Sequence, residues 1–404
     1  MKIRVDSIKK YTLALMMMFF IVRPQFIITM YPENGLKMLS YLELGLFIVI
    51  FLLSPTLFLT SIIRDKQFII VLVLHIYIYV VTRINMGTLG LAFYNGIAVV
   101  CAVGFIKYFS LKHGFKEFIK YFNYAVSSLV WVNLITMFIF PDGIVRSTVH
   151  IYNSAPVFFL GQVNQFSIHL ILSIILFIAL RLMDSSYKIG NIVFCVLPII
   201  LTIFKDVATT AIVAIGIMII GIIVVVAFPN LISRFERPVL NTMIVVIVFF
   251  LLSRILTLPI IVKFITSVLG KDITLASRTA IWEEAFNILK DRNTLLFGRG
   301  EISGSAYVVL NTGAAFSAHN ILLQVCFISG LIGLVLFILF FYRSIYRIEK
   351  SNQVFKRAVI SVCLLAFCVI NMTEVYTFPM VYSTILVFDC FGRYLASETD
   401  IAIN

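Results

Sequence analysis

Charge is scarce in this 404-residue chain. Asp, Glu, Lys and Arg supply only 13% of it, about half the share of a typical soluble domain, which excludes an ordinary soluble enzyme. Acidic residues are the scarcer sign, 19 against 32 basic. The stretches read below as outward-facing contain no Asp-x-Asp and no acidic cluster of the kind that holds Mg²⁺. Cysteine is sparse and isolated. Cys101, Cys195, Cys326, Cys363, Cys368 and Cys390 all lie in apolar runs without a CxxC or a histidine at ligand spacing, so neither disulfides nor a metal site are expected. No internal repeat or low-complexity tract is visible, and inverted halves of the transporter kind are not evident.

Apolar residues fill the space, at 61% of the chain, far too many for a disordered polypeptide. They form uninterrupted runs near 11–30, 39–63, 67–82, 88–106, 121–140, 158–180, 189–204, 207–228, 239–262, 319–342, 358–373 and 376–396. A helical crossing needs ~20 such residues, and the runs do not alternate as barrel strands would. The sequence therefore predicts an all-α integral membrane protein of about twelve transmembrane helices, within a range of 10–14. The N-terminal run has no small-residue cleavage pattern after it and reads as a retained first helix. The 38 phenylalanines read as lipid-facing and core packing.

The net charge of +13 is what the positive-inside rule would place in cytoplasmic loops, so nucleic acid is not the implied partner. With the N-terminus (Lys2, Arg4, Lys9, Lys10) inside, alternate loops carry Arg64 and Lys66; Lys107 to Lys120; Arg181 and Lys188; Arg234 and Arg237; and Arg343 to Arg357. Both termini then face the cytoplasm. Residues 1–262 would hold nine spans and residues 319–404 three more with a short tail. Residues 263–318, a long extracytoplasmic loop between spans nine and ten, is where chemistry is expected.

Within that loop, Ser277 to Leu289 reads as a helix with Ser277 as N-cap and an apolar stripe at Ile281, Ala285, Ile288 and Leu289. Arg278 and Trp282 are four apart, so the guanidinium is expected over the indole. Phe297-Gly298-Arg299-Gly300 follows as a glycine-flanked turn. His319-Asn320 then stands at the threshold of a span that contains Gly330 and Gly333.

This ordered set resembles the O-antigen ligase-like superfamily, and within it the O-antigen/capsular polysaccharide polymerases (Wzy). The resembling block is 277–333, with Gly161-x-x-Asn164 as a further, weaker element. The resemblance implies a membrane glycosyltransferase of GT-C-like architecture in the bacterial cytoplasmic (inner) membrane, working on its outer face without a metal or other cofactor. It implies a donor glycan on undecaprenyl diphosphate and another lipid-linked repeat unit as acceptor. It also implies contact with membrane lipids and, as further partners, a chain-length regulator and a flippase. Family members commonly carry Ser-Arg at the start of the helix matching the eighth span; this chain has Lys205-Asp206-Val207-Ala208-Thr209-Thr210 there, so Lys205 supplies a point charge where the family has a fork.

On that resemblance His319 is the candidate base on the acceptor hydroxyl, and Arg278 the catalytic cation at the leaving diphosphate. Lys205, Arg299, Asn320, Trp282 and Asn164 are candidate substrate contacts. Arg23, Arg83 and Arg254 sit on outer halves of spans, which the orientation rule leaves unexplained. Each is either a substrate contact or half of a buried ion pair that sets helix registry, with Glu43 and Glu374 as partners. Glu374 is also placed to touch sugar or orient His319. His75 and His169 read as core histidines or cavity linings, and His113 and His150 as solvated. Two rival functions share these features: a ligase that passes the glycan to a lipid-A core or protein, and, from another class, a lipid-linked oligosaccharide flippase or solute transporter. A non-catalytic assembly scaffold is a third.

Overall fold

The computed structural model describes residues 5–32, 34–147, 155–184, 188–255, 267, 278–302, 308–310, 313–315 and 317–401. The chain opens with α1 (Val5–Val22), α2 (Gln25–Met30), α3 (Gly35–Leu53), α4 (Lys66–Ile84), α5 (Leu89–His113) and α6 (Phe115–Ile139). A short hairpin follows, β1 (Val145–Ser147) paired antiparallel with β2 (Ala155–Val157). Next come α7 (Val163–Met183), α8 (Ile189–Lys205), α9 (Thr209–Ala227) and α10 (Pro238–Ile255). The later segment holds α11 (Arg278–Ile288), α12 (Arg292–Phe297) and a second hairpin, β3 (Val308–Leu310) with β4 (Gly313–Ala315). Three long helices close the chain: α13 (Ile321–Glu349), α14 (Val354–Thr373) and α15 (Phe378–Ile401).

Among the described residues, eight helices are long and apolar enough to cross a membrane: α3, α4, α5, α6, α7, α9, α13 and α14. The long helix α1 carries Asp6, Lys9 and Lys10 within 18 residues, α15 has Asp389 and Arg393 inside its apolar run, and α8 has only 17 residues. Two expected runs are broken. The first divides at Arg23-Pro24 into α1 and α2, and the second at Ser54-Pro55, after which Phe58–Ile62 winds as a π-helix. Proline lacks the N–H a continuing helix needs and disfavours helical geometry in the residue before it.

The most buried spans are α7, α14 and α13, while α3 and α9 lie at the edge. The core is aromatic and tightly filled, with Phe105, Phe109, Phe118, Phe122, Phe166, Phe388 and Phe391 almost fully enclosed. Side chains such as Leu52, Leu53 and Ile220 remain exposed on the outer faces, as lipid contact requires. Buried hydroxyls return to their own helices: Thr82 to Ile78, Ser329 to Val325, Ser344 to Phe340 and Thr384 to Met380, each at 2.7–2.9 Å. Each hydroxyl proton is thereby satisfied within its own helix, which leaves the oxygens of Ser344 and Thr82 to accept from Gln67 and from the Glu301 N–H.

Helix ends gather at two poles. At one, Lys107 bridges Asp65 (3.3 Å) and Asp389 (3.0 Å), and Asp389 also receives Arg347 and Arg393. Asp65 caps α4 through the N–H groups of Gln67 and Phe68. Burial pushes its carboxyl up, but the charges of Lys107 and Arg393 outweigh that and hold it below the ordinary 3.8. At the other pole, Arg23 pairs with Glu43 (3.0 Å), also reaches Ser40 and the Tyr94 carbonyl, and is buried. It links α1, α3 and α5, the registry role the sequence left open for it.

Candidate functional site

The candidate site lies at the second pole and is built on a helix with a break in it. In α13, Gly330 takes φ 60°, ψ −167°, a conformation essentially closed to any residue with a Cβ. The break frees the carbonyls of Phe327 and Ile328, which accept from the N–H groups of Arg299 and Gly300, both at 2.8 Å. Gly298, at φ 82°, ψ 176°, is the reciprocal device. A Cβ on Gly298 would run into the Ile328 carbonyl, and one on Gly330 into the Leu296 carbonyl. The Phe-Gly-Arg-Gly turn is therefore a backbone dock that closes the broken helix.

That dock ties in α4 and α5 as well. Gly300 packs on Thr82, whose hydroxyl accepts the Glu301 N–H at 3.0 Å, and the Glu301 carbonyl accepts from Thr88 at 2.8 Å. Asn95 donates to the Glu301 carboxylate at 3.1 Å, and Asn85 and Tyr77 bond the carbonyls of Gly298 and Phe297. Arg299 is exposed, its guanidinium 5.8 Å from the Phe327 ring. Arg83 is exposed in the last turn of α4, next to Thr82. At the N-terminus of α12, Asp291 accepts from the hydroxyl and N–H of Thr294, which hold its carboxyl below the usual range.

Above the break, the loop before α13 carries His319. Its backbone sits at φ 46°, a left-handed conformation that few non-glycine residues adopt and that marks a position over-determined by its surroundings. The surroundings are visible. The Ala318 N–H donates to Gln324 Oε1 at 2.9 Å, and the Ala318 carbonyl accepts the Trp282 indole N–H at 3.1 Å. Asn320 caps α13 by accepting from Leu323 N–H and donates its amide to the Met372 carbonyl, both at 3.0 Å. Fully buried, Asn320 spends both ends of its amide inside the protein. Trp282 is buried among Leu289, Ala318, Leu323, Cys326 and Met372.

The imidazole of His319, 27% exposed, holds Glu374 Oε1 through Nδ1 at 2.8 Å, and Glu374 is only 5% exposed. Asn164, in the first turn of α7, donates to Glu374 Oε2 at 3.4 Å. The α7 turn is set by Gly161 (φ 118°) and a capping box between Gln162 and Gln165. A carboxylate at Nδ1 makes that nitrogen the donor and leaves the lone pair on Nε2. The arrangement can therefore take a proton at Nε2 and stabilise the imidazolium that results.

His319, Asn320, Glu374, Asn164 and Trp282 thus come together, although they span residues 164 to 374. Lys205 lies elsewhere on the same pole. It ends α8, exposed, with its ammonium 5.2 Å from the Phe138 ring at the end of α6. Arg278 opens α11 one turn before Trp282, so the Trp282–Ala318 bond draws that turn toward His319. The side chains of Arg278 and Arg254 lie outside the described residues, as does Ser277. His75 and His169 are buried, bonded to the Val71 and Phe166 carbonyls, and stand in the core. Gln324 escaped the sequence reading. Its signal was a glutamine one turn into an otherwise apolar helix, where only a specific partner repays burial.

Among the described residues, no group of three or more His, Cys, Asp or Glu is placed to hold a metal ion. The family model described as Wzy_C, O-antigen ligase, matches residues 170–338. The match includes Lys205, Arg278, Trp282, the Phe297–Gly300 turn, His319, Asn320 and Gly330, and leaves Asn164 and Glu374 outside it. No curated protein and no solved structure matches the chain. Over residues 170–338, somewhat less than half of the chain, the sequence is thus similar to the O-antigen ligase family.

Proposed function

From that similarity we propose that the chain is a polysaccharide polymerase: it transfers a glycan from undecaprenyl diphosphate to a sugar hydroxyl of another lipid-linked repeat unit at the outer face of a bacterial inner membrane. The observation that carries the reading is the His319–Glu374–Asn164 cluster at the mouth of α13, held at 2.8 and 3.4 Å. The acceptor hydroxyl gives its proton to Nε2 of His319 as its oxygen bonds the anomeric carbon. The bond from that carbon to the diphosphate breaks, and undecaprenyl diphosphate leaves with the electron pair. Glu374 fixes the imidazole and balances its charge. Arg278 and Lys205 neutralise the departing diphosphate, and Arg83, Arg254 and Arg299 extend the cationic surface for carrier phosphate or sugar. Trp282 and Asn320, both enclosed, act as positioning residues.

The test is His319→Ala. General-base removal costs ~10²–10⁴ in rate, so polymer ladders should vanish while the protein stays inserted in the membrane. Unchanged polymer length would remove His319 from the mechanism. The second reading is ligation to a lipid-A core or protein, favoured by the family of the matching segment, which is that of O-antigen ligases. Product analysis separates the two, since a polymerase leaves its long product on undecaprenyl diphosphate.

A further inference from the structure

The opposite pole holds a second constellation that the transfer reaction does not use. A cavity of about 450 Å³ opens between the start of α4, the end of α13 and α15. Arg64, Lys66, Arg343, Arg347 and Arg393 line it, with Asp65 as the one acidic wall residue among the described residues. Lys107 and Asp389 stand buried behind, in the ion lattice that ties Arg347 and Arg393 in place. Six cations therefore face two carboxylates, a surplus of four positive charges. Arg64, Lys66 and Arg343 are exposed, and among the described residues none has a carboxylate at salt-bridge distance.

Orientation alone needs basic residues on this side, but not their convergence from three segments far apart in sequence onto one concavity. Like charges held together repel unless an anion joins them. Tyr342 and Tyr346 form part of the wall, 42% and 41% exposed with rings 5.4 Å apart. Amphipathic rings of this kind sit at headgroup level. One turn earlier, Ile338 and Leu339 are exposed, apolar and free to meet acyl chains. A phosphate in the cavity would thus have lipid tails directly beneath it.

We propose that this cavity binds the phosphate of an anionic phospholipid, with Arg64, Lys66 and Arg343 as the binding cations and the Asp389 lattice as their scaffold. The test uses the full chain purified in detergent and thermal unfolding titrated with phosphatidylglycerol, phosphatidylcholine or inorganic diphosphate. The variant R64Q/K66Q/R343Q leaves every ion pair of the lattice intact. A control, K9Q/K188Q/R234Q, removes the same charge outside the cavity. Phosphatidylglycerol should stabilise the wild type and the control alike, and the cavity variant should need about a hundredfold more lipid for the same shift. Equal responses of the cavity variant and the control would overturn the site. So would a wild type that treats phosphatidylglycerol and phosphatidylcholine alike. A full response to diphosphate without lipid, lost in the cavity variant, would keep the phosphate site and overturn the lipid assignment.

Discussion

At the scale of single residues, the weight falls on a contact between partners 55 positions apart. His319 Nδ1 and Glu374 Oε1 lie 2.8 Å from each other, and the strained φ of 46° at His319 suits a ring held for use rather than for packing. If Glu374 acts only through that ring, Glu374→Gln should lower kcat and leave KM nearly unchanged. The double variant with His319→Ala should be no slower than His319→Ala alone, because residues that act as a unit are non-additive. A double variant slower by the product of the two single effects would assign Glu374 an independent role, such as a sugar contact. His319, Asn320 and Trp282 could be picked out from the sequence because they fall in one ordered motif. Glu374 was legible as one of few acids near a span end, with an arginine, a sugar or His319 as its alternative partners; that it pairs with His319 needed the fold to bring α14 beside α13.

At the scale of elements, the Phe297–Gly300 turn and the Gly330 break are one device. The turn exists to supply N–H donors to carbonyls that the break exposes, since unsatisfied backbone within a membrane bundle costs several kcal/mol. Sequence showed the glycines but not their purpose: a glycine inside an apolar helix reads equally well as a close-packing site. The pairing of Gly298 with Gly330 is a property of two backbones meeting. Gly330→Ala would put a Cβ against the Leu296 carbonyl and force a disfavoured φ, at a cost of about 1–3 kcal/mol. The expected result is a lower unfolding temperature in detergent and reduced transfer, with protease cleavage near 297–300 increased. Wild-type stability in that variant would show that the helix heals by straightening and that the dock is dispensable. The breaks at Pro24 and Pro55 were legible residue by residue, yet each fell inside a run read as continuous, because hydropathy does not register a missing N–H.

At the scale of the whole molecule, the placement of polar groups separates an enzyme from a transporter. Transporter sites sit near the bilayer midplane, at the junction of repeated halves and often on interrupted helices. This chain does have an interrupted helix, but the groups with unspent chemistry lie at helix ends. His319 precedes α13, Glu374 follows α14, and Asn164 is in the first turn of α7. The break at Gly330 is filled by the protein's own backbone donors, not left open to a passing solute. Chemistry at a membrane face needs no gradient and no sealed compartment. Purified protein in detergent, given lipid-linked repeat units alone, should therefore yield elongated lipid-linked product. Arg and Lys carry the cationic role in the proposed reaction, so EDTA should leave the rate unchanged. A strict requirement for sealed vesicles would return the chain to the transporter class, whereas inhibition by EDTA reversed by Mg²⁺ would overturn only the assignment of the diphosphate to Arg278 and Lys205.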